Sequence, residues 1–156
     1  MEFVSEKMNR DLAVTILNWK YDTPYDFYNN DVSEESIEEL LNEGYRAVVD
    51  EAGSLTGFYC TGPSAQVPAG RAEGVYRETA IDIGIGMAPE MTGKGYGYLF
   101  FSFVLEELEC SRQNHPLRLT VANFNKRAIK LYENIGFRKE SELKTLTNDF
   151  ITMVKR

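Results

Sequence analysis

The sequence predicts a mixed α/β fold built around a sheet. Apolar residues alternate with polar residues or glycines in short runs such as 81–87 and 117–121, which is the period of a half-buried strand. Between these runs, apolar residues recur three or four apart in 99–108 and 128–135, which is the period of a helix. From residue 137 onward two strand-like runs follow each other directly, so the alternation ends in an antiparallel hairpin.

The composition is typical of one soluble globular domain, which we place at residues 1–156. Cys60, Cys110 and a single histidine are too few for a disulfide framework or a structural zinc site, so we expect free buried thiols and no metal. The net charge of −7 argues against nucleic acid and is compatible with a cationic partner. No apolar run of about 18 residues and no secretory signal is visible, which predicts a cytoplasmic protein without a membrane partner.

The first sixty residues read as strand, helix, helix and two strands. Residues 1–5 suit a short strand, and the spacing of apolar residues predicts a helix over 9–20. Ser33 is a typical N-cap for a second, acidic helix. Two strands, 45–49 and 55–60, then flank a turn.

Two segments of the first half lack a regular period. The stretch 21–28 is dense in aromatic and acidic residues. It is either a loop pinned by its rings or the wall of a substrate pocket, in which Asp22 or Asp26 holds a cation beside Tyr25 and Tyr28. The stretch 61–74 is rich in glycine and proline and reads as a long loop, either mobile or functional.

The stretch 81–97 is the most informative part of the chain. Its strand ends at Pro89, and Gly93, Gly95 and Gly97 then lead directly into a helix. Glycines at a strand-to-helix junction let backbone N–H groups approach an anion, and the helix start adds unpaired donors. The spacing fits neither the Walker loop nor the dinucleotide fingerprint, so the residues alone leave two readings, a phosphate cradle and a tight turn.

The second half completes the sheet and adds two helices. The helix after Gly97 carries an apolar stripe, predicted to be buried, that consists of Leu99, Phe100, Phe103, Val104 and Leu108. A strand over 117–121 leads to a helix that begins at Asn125 and ends at Gly136. Strands at 137–144 and 150–154 form the closing hairpin.

Two blocks resemble the GNAT superfamily of N-acetyltransferases. The first is Met-Ala-Pro-Glu-Met-Thr-Gly-Lys-Gly-Tyr-Gly at 87–97, similar to the family's Val-x-Pro-x-x-Arg/Gln-Gly-x-Gly-x-Gly/Ala. The second runs from Leu119 to Phe137 and is similar to Leu-x-Val-x-x-x-Asn-x-x-Ala-x-x-Leu-Tyr-x-x-x-Gly-Phe. Their order and spacing together are specific. The resemblance implies a twisted, mostly antiparallel sheet of about six to seven strands flanked by about four helices.

The resemblance also implies a site for acetyl-coenzyme A as co-substrate. The strand would run beside the pantetheine arm, with backbone N–H groups between Ile85 and Met87 polarising the thioester carbonyl. Glycines on the same strand would admit the ligand or, alternatively, a packed neighbour. Thr92 departs from the family's Arg or Gln, which shifts the pyrophosphate contacts toward backbone N–H groups. The expected cofactor-binding residues are Ile85, Met87, Thr92, Gly93, Lys94, Gly95, Tyr96, Gly97 and Asn125.

Two side chains are candidates for the chemistry. Tyr132 matches the family tyrosine that protonates the departing thiolate. Its position in the helical period alone would predict a core residue instead. Asp82, on the glycine face of the strand, is the candidate base that removes a proton from the amine; its alternatives are a solvated aspartate and a substrate-binding one. Glu78, Asp22 and Asp26 are rival bases.

We therefore expect an N-acetyltransferase that moves an acetyl group to a small-molecule or peptide amine by direct transfer in a ternary complex. Asp22, Tyr25 and Tyr28 are the expected substrate contacts. The alternative is a non-catalytic acyl-coenzyme A-binding or sensor module with the same fold. A monomer and a homodimer both fit the sequence, and the identity of the amine stays open.

Overall fold

The computed structural model describes all residues from 1 to 156 and contains seven strands and five α-helices. The strands are β1 (Phe3–Lys7), β2 (Tyr45–Asp50), β3 (Leu55–Thr61), β4 (Ile81–Met87), β5 (Leu117–Ala122), β6 (Arg138–Lys144) and β7 (Asp149–Lys155). The helices are α1 (Arg10–Leu17), α2 (Glu34–Leu40), α3 (Pro68–Ala72), α4 (Gly97–Leu108) and α5 (Lys126–Ile135).

The strand order is β1-β2-β3-β4-β5-β7-β6 in one seven-stranded sheet. The predicted mixed α/β class and the upper end of the predicted strand count are confirmed. The helix count exceeds the prediction by one, because part of the presumed loop 61–74 is regular. Residues 62–65 form a 3-10 turn and Pro68–Ala72 form α3, where a proline at the first helical position suits a helix start.

The chain divides into two compact units, each made from two separate stretches of sequence. One contains residues 1–60 and 85–100, and the other contains 61–84 and 101–156. The three boundaries fall inside β3, β4 and α4, so neither unit is a contiguous piece of the chain. The single domain over 1–156 stays a prediction.

The first unit combines an antiparallel meander with two short helices. β2 pairs with β1 on one side and with β3 on the other, and a register shift interrupts the second pairing between Val48 and Val49. The Asn9 side chain caps α1 by accepting a hydrogen bond from the Leu12 N–H, and Ser33 caps α2, as the sequence predicts for Ser33. Their buried faces form one apolar cluster with Ala47.

The second unit is centred on β5 and β7. β5 pairs in parallel with the start of β4, with Asp82 opposite Arg118, and antiparallel with β7 along its whole length. β7 pairs with β6 on its other side. The side chains of Phe101, Phe137 and Met153 are almost completely excluded from solvent, so this unit has an apolar core of its own.

Helix α4 buries most of the predicted stripe but not its first residue. Phe100, Val104 and Leu108 are buried as expected, but Leu99 is 49% exposed, and Phe101, which the predicted stripe omits, is fully buried. Residues four apart share a helix face, so the buried face extends to the side of Phe101 rather than to the side of Leu99.

Two smaller findings concern the rest of the chain. Cys60 is buried, but Cys110 is exposed, so the expectation of two buried thiols holds only for Cys60. No α-helix of the structure has the length and apolarity that a membrane span requires.

Candidate functional site

Strand β4 carries a close contact at Gly86 that explains one of its glycines. A Cβ atom placed on Gly86 would lie 2.3 Å from the Phe58 ring, which no real side chain could occupy without displacing that ring. A Cβ on Gly57 would lie 2.6 Å from the Gly86 carbonyl oxygen and equally close to Phe100. For Gly86 the structure therefore shows the packed-neighbour alternative, since an aromatic side chain fills the space over its Cα.

The glycines after the strand have backbone conformations that require them. Gly93 has φ of 71° and Gly95 has φ of 82°, in the left-handed region that side chains with a Cβ rarely adopt. Gly97 begins α4. The first bond of that helix runs from the Phe100 N–H to the Tyr96 carbonyl, so the N–H groups of residues 97–99 precede the helical ladder.

Thr92 directs both of its donors toward the protein. Its hydroxyl donates to the Pro89 carbonyl at 2.7 Å, and its N–H points to the same oxygen at 3.2 Å. Thr92 is among the expected cofactor-binding residues, and its hydroxyl is the side-chain donor it could offer to a phosphate. The structure gives that hydroxyl proton to Pro89 instead, because the short side chain folds back onto the preceding turn.

The surface of this turn suits an anionic ligand with an apolar portion. Gly93, Lys94 and Gly95 are exposed, so the positively charged Lys94 side chain and solvent-exposed backbone lie together just before the helix start. Tyr98 is 56% exposed and Leu99 is 49% exposed in the first turn of α4. The turn and helix start thus fit the phosphates of coenzyme A, which the helix N-terminus would stabilise.

Asp82 is buried in an ion pair with Arg118. Its two carboxylate oxygens accept hydrogen bonds from Arg118 Nε at 2.7 Å and Nη2 at 2.8 Å. Gln66 Nε2 donates a third bond at 2.9 Å. Both charged residues are 3% exposed, and the bond to Asp82 raises the pKa of the Arg118 guanidinium. A buried carboxylate whose two oxygens are already engaged by a bidentate guanidinium and an amide offers little access to an incoming amine. This arrangement argues against Asp82 as a free general base.

The ion pair belongs to a larger polar network that fastens the segment before β4. The side-chain oxygen Oε1 of Gln66 accepts from Arg71 Nε at 2.9 Å, and Arg118 Nη1 donates to the backbone carbonyl of Glu78 at 2.9 Å. The Arg118 guanidinium also lies 5.1 Å from the centre of the Tyr76 ring. The long segment 61–80 is therefore an ordered, hydrogen-bonded part of the second unit.

Asn125 and Tyr132, the two candidate site residues of the second motif, have different surroundings at helix α5. The Asn125 side chain accepts from the Ala128 N–H at 3.1 Å and caps the helix. The Tyr132 ring packs edge-on against Phe101 at 5.1 Å between centroids and lies 6.3 Å from Phe137. Tyr132 is 8% exposed, so its ring belongs to the core of the second unit.

The aromatic segment 21–28 is folded as a compact turn in the first unit. A 3-10 turn covers Tyr25–Tyr28, and Asp22 and Asp26 are exposed while Tyr25 and Tyr28 are half-buried. The segment thus combines accessible carboxylates with partly covered rings, as a cation-binding wall would. Among the candidate substrate residues, the structure leaves the carboxylates in solvent.

The rival base Glu78 is engaged in an exposed ion pair. Arg156 Nη2 donates to the Glu78 carboxylate at 2.8 Å and to Glu140 at 3.2 Å. The structure contains no group of three or more His, Cys, Asp or Glu side chains placed to hold a metal ion.

The comparison with known families is decisive for the class of protein. The model of the GNAT acetyltransferase family matches residues 12–137. The chain belongs to the GNAT acetyltransferase family. The acetyltransferase is 28% identical over 113 residues to the 5-NmdU N-acetyltransferase of Pseudomonas phage PaMx11, a match that covers 70% of this chain and 71% of the phage protein.

Solved structures share the fold of the acetyltransferase. A spermidine N-acetyltransferase of Vibrio cholerae, in complex with CoA and spermine, has a TM-score of 0.70 at 22% identity, over 97% of this chain and 94% of that chain. A protein of Bordetella pertussis assigned to the GNAT family has a TM-score of 0.74 at 14% identity, over 99% and 95% of the two chains. At these identities the likeness establishes the GNAT fold.

Sequence reasoning missed two residues of this region. Arg118 stands at a polar position of an alternating strand, where the period predicts a solvent-facing side chain, and its burial and its pairing with Asp82 depend on the strand order. Tyr21 donates its hydroxyl to the Met87 carbonyl at 2.6 Å. No spacing connects two residues sixty-six positions apart, so the sequence held no signal for this contact.

Proposed function

We propose that this acetyltransferase moves the acetyl group of acetyl-coenzyme A directly to a primary amine in a ternary complex. One observation carries the proposal. The strand β4 leads into a turn with two left-handed glycines, an exposed lysine and a helix start whose first N–H groups precede the helical ladder. Such a turn offers backbone donors and a partial positive charge to a pyrophosphate.

In this proposal the residues from Gly93 to Gly97 hold the phosphates, and Lys94 adds charge. Backbone N–H groups between Ile85 and Met87 orient the acyl carbonyl, and Asn125 binds the pantetheine amides while capping α5. Acetyl-coenzyme A supplies an activated thioester, whose carbonyl carbon is open to attack by an amine. Thr92 supports the turn through Pro89 rather than donating its side-chain proton to the ligand.

In this proposal Tyr132 is the general acid, and Asp82 is a structural residue that pairs with Arg118. A free alkyl amine has a pKa of about 10.4, so it is mostly protonated at neutral pH. It must lose this proton before its nitrogen can attack the thioester carbonyl. We take the exposed carboxylates Asp22 and Asp26 as the groups that receive the cationic amine and its proton, since the buried Asp82 already accepts three hydrogen bonds from Arg118 and Gln66. Tyr132 then protonates the departing thiolate.

The acceptor is a small-molecule amine in this proposal. Two relatives support that class: the phage protein is named a 5-NmdU N-acetyltransferase, and the Vibrio cholerae enzyme a spermidine N-acetyltransferase. We rank polyamines ahead of peptide amines on this basis. The net charge of −7 agrees with a cationic acceptor.

The first test is the acetyl-coenzyme A-dependent release of thiol with a panel of primary amines, including spermidine, an aminoglycoside and a lysine peptide. We expect turnover with at least one of them. A protein that binds coenzyme A in calorimetry but releases no thiol with any amine would instead be the non-catalytic acyl-coenzyme A-binding module.

The role of Tyr132 is tested by Tyr132→Phe. We expect kcat with the best amine of the panel to fall at least tenfold, because the thiolate departs without a positioned acid. Calorimetric affinity for acetyl-coenzyme A should stay within about threefold, since the ring and its packing are kept. An unchanged kcat would make Tyr132 a core residue only.

A further inference from the structure

We infer that Tyr21 is a positioning residue that fastens the segment 21–29 to the end of strand β4 and thereby sets the affinity for the acceptor amine. The inference concerns a residue outside both family motifs, and its acceptor part rests on the proposed function. All the contacts that carry it lie within the first unit.

The first observation is the hydrogen bond between Tyr21 and β4. The Tyr21 hydroxyl donates to the Met87 carbonyl oxygen at 2.6 Å. The other side of the same peptide is also held, since the Ala88 N–H donates to the Thr56 carbonyl at 2.8 Å. The peptide between Met87 and Ala88 is therefore fixed in orientation from both faces, directly before the glycine turn.

The second observation is that the segment after Tyr21 closes on itself. The Tyr21 N–H donates to the Asn29 side chain at 2.8 Å. The Tyr25 N–H donates to the Asp22 carbonyl at 2.7 Å, and the Asn29 N–H donates to the Asp26 carbonyl at 3.0 Å. Because these bonds tie both ends of the segment together, an anchor at its first residue restrains all of it.

The third observation is an aromatic contact that runs in parallel with the hydrogen bond. Trp19 stacks on Phe58 of β3 with 6.2 Å between ring centroids, and Phe58 lies over the Cα of Gly86. The chain on one side of Lys20 thus packs on the ring that covers Gly86, and the chain on the other side bonds to Met87, the next residue of β4. The ring contact contributes apolar packing, and the hydrogen bond of the hydroxyl fixes which residue of β4 the Tyr21 side chain meets.

The chemistry of the Tyr21 hydroxyl suits a permanent anchor. A carbonyl oxygen only accepts, so the hydroxyl must be the donor and must stay protonated. Burial, assisted by the nearby Glu90 carboxylate, raises the pKa of Tyr21 to about 12. The donor is therefore present throughout the neutral range.

The consequence concerns the residues that this segment carries. Asp22, Tyr25 and Tyr28 are the proposed amine contacts, and Asp22 directly follows the anchor. A fixed segment binds an amine without first losing its own conformational freedom. Loss of the anchor should weaken amine binding, while the phosphate contacts at 93–97 remain.

The test compares Tyr21→Phe with Tyr59→Phe in the full chain. Tyr59 is a matched control, since it also lies in the first unit and its hydroxyl meets Ser5 at 3.3 Å on a different strand. For Tyr21→Phe we expect faster hydrogen–deuterium exchange in 21–29, a rise of about tenfold in KM for the best amine of the panel, and a smaller change in kcat. Calorimetric affinity for coenzyme A should stay within about threefold. Tyr59→Phe should change none of these values by more than about twofold.

The outcomes separate this inference from the proposed function. If exchange in 21–29 is the same in both variants, Tyr21 is not the anchor, whatever the activity. If exchange rises but the amine KM does not, the anchor has no role in acceptor binding. If the wild type accepts no amine, the proposed acetyl transfer fails, and with it the acceptor part of this inference, while the exchange result still decides the anchor.

Discussion

Asp82 illustrates how the role of a single residue depends on its partner. Its position on a strand among glycines made it the candidate base. In the structure its carboxylate accepts three hydrogen bonds, two of them from Arg118. Because the carboxylate is 3% exposed and bonded to Gln66 as well as Arg118, the residue holds the segment before β4 in place.

The first prediction concerns this ion pair. Asp82→Asn leaves a guanidinium that is 3% exposed without its counter-charge, and removing one partner of a buried pair costs about 3–5 kcal/mol. Urea unfolding should show a loss of this size. The control is Glu142→Gln, which removes the carboxylate of the exposed Lys139–Glu142 pair and should leave the unfolding midpoint unchanged.

The two possible roles of Asp82 give different results. If Asp82→Asn lowers kcat by orders of magnitude without loss of stability, the aspartate is the base and the pairing is incidental. If the stability falls and the residual kcat at low temperature is near that of the wild type, the aspartate is a structural residue.

At the scale of elements, the junction of β4, the glycine turn and α4 concentrates the proposed ligand contacts. Three glycines in alternate positions serve two purposes there. Gly93 and Gly95 adopt left-handed backbone conformations, whereas Gly97 starts the helix. The pattern therefore fixes the geometry of the turn before any ligand arrives, which lowers the entropic cost of binding.

The second prediction separates ligand binding from backbone strain at this junction. Gly95→Val places a β-branched residue at φ of 82° in otherwise open space, and the strain costs about 1–3 kcal/mol. Gly53→Val is a closely matched control, since Gly53 has φ of 83° and is equally open, in the turn between β2 and β3. Both variants should lose similar stability, but only Gly95→Val should lose coenzyme A affinity, by at least tenfold in calorimetry. Equal affinities in the two variants would remove the turn from the binding site.

At the scale of the whole molecule, the net charge affects how strongly each substrate is attracted or repelled at long range. The chain has 24 acidic and 17 basic residues, so it repels coenzyme A and attracts cations at long range. Screening shortens that range from about 10 Å at 0.1 M salt to about 3 Å at 1 M. The two substrates should therefore respond to salt in opposite directions.

The third prediction follows from this charge. For a polyamine accepted by the enzyme, kcat/KM should fall several-fold between 0.05 and 0.5 M NaCl (about 14 Å to 4 Å of screening length). For an accepted monoamine the fall should be smaller, because fewer charges are attracted. The measurement is initial-rate kinetics at saturating acetyl-coenzyme A. Equal salt slopes for the two amines would show that net charge does not guide the acceptor.

The sequence by itself determined most of the elements, the fold class and the family. Periods of two and 3.6 located most strands and helices, the cap Ser33 located the start of α2, and two motifs of fixed spacing identified the GNAT family. These signals are local, because periodicity, capping and left-handed glycines depend on neighbours within a few residues of the chain.

Only the tertiary structure decided which partners the functional candidates have. Asp82 meets Arg118 thirty-six residues away, and Tyr21 meets Met87 sixty-six residues away. Strand order and the docking of loops determine such pairs, and no local period encodes them. The physical reason is that a buried polar group takes whichever partner the fold brings within hydrogen-bonding distance, so its chemistry is settled after the chain has folded.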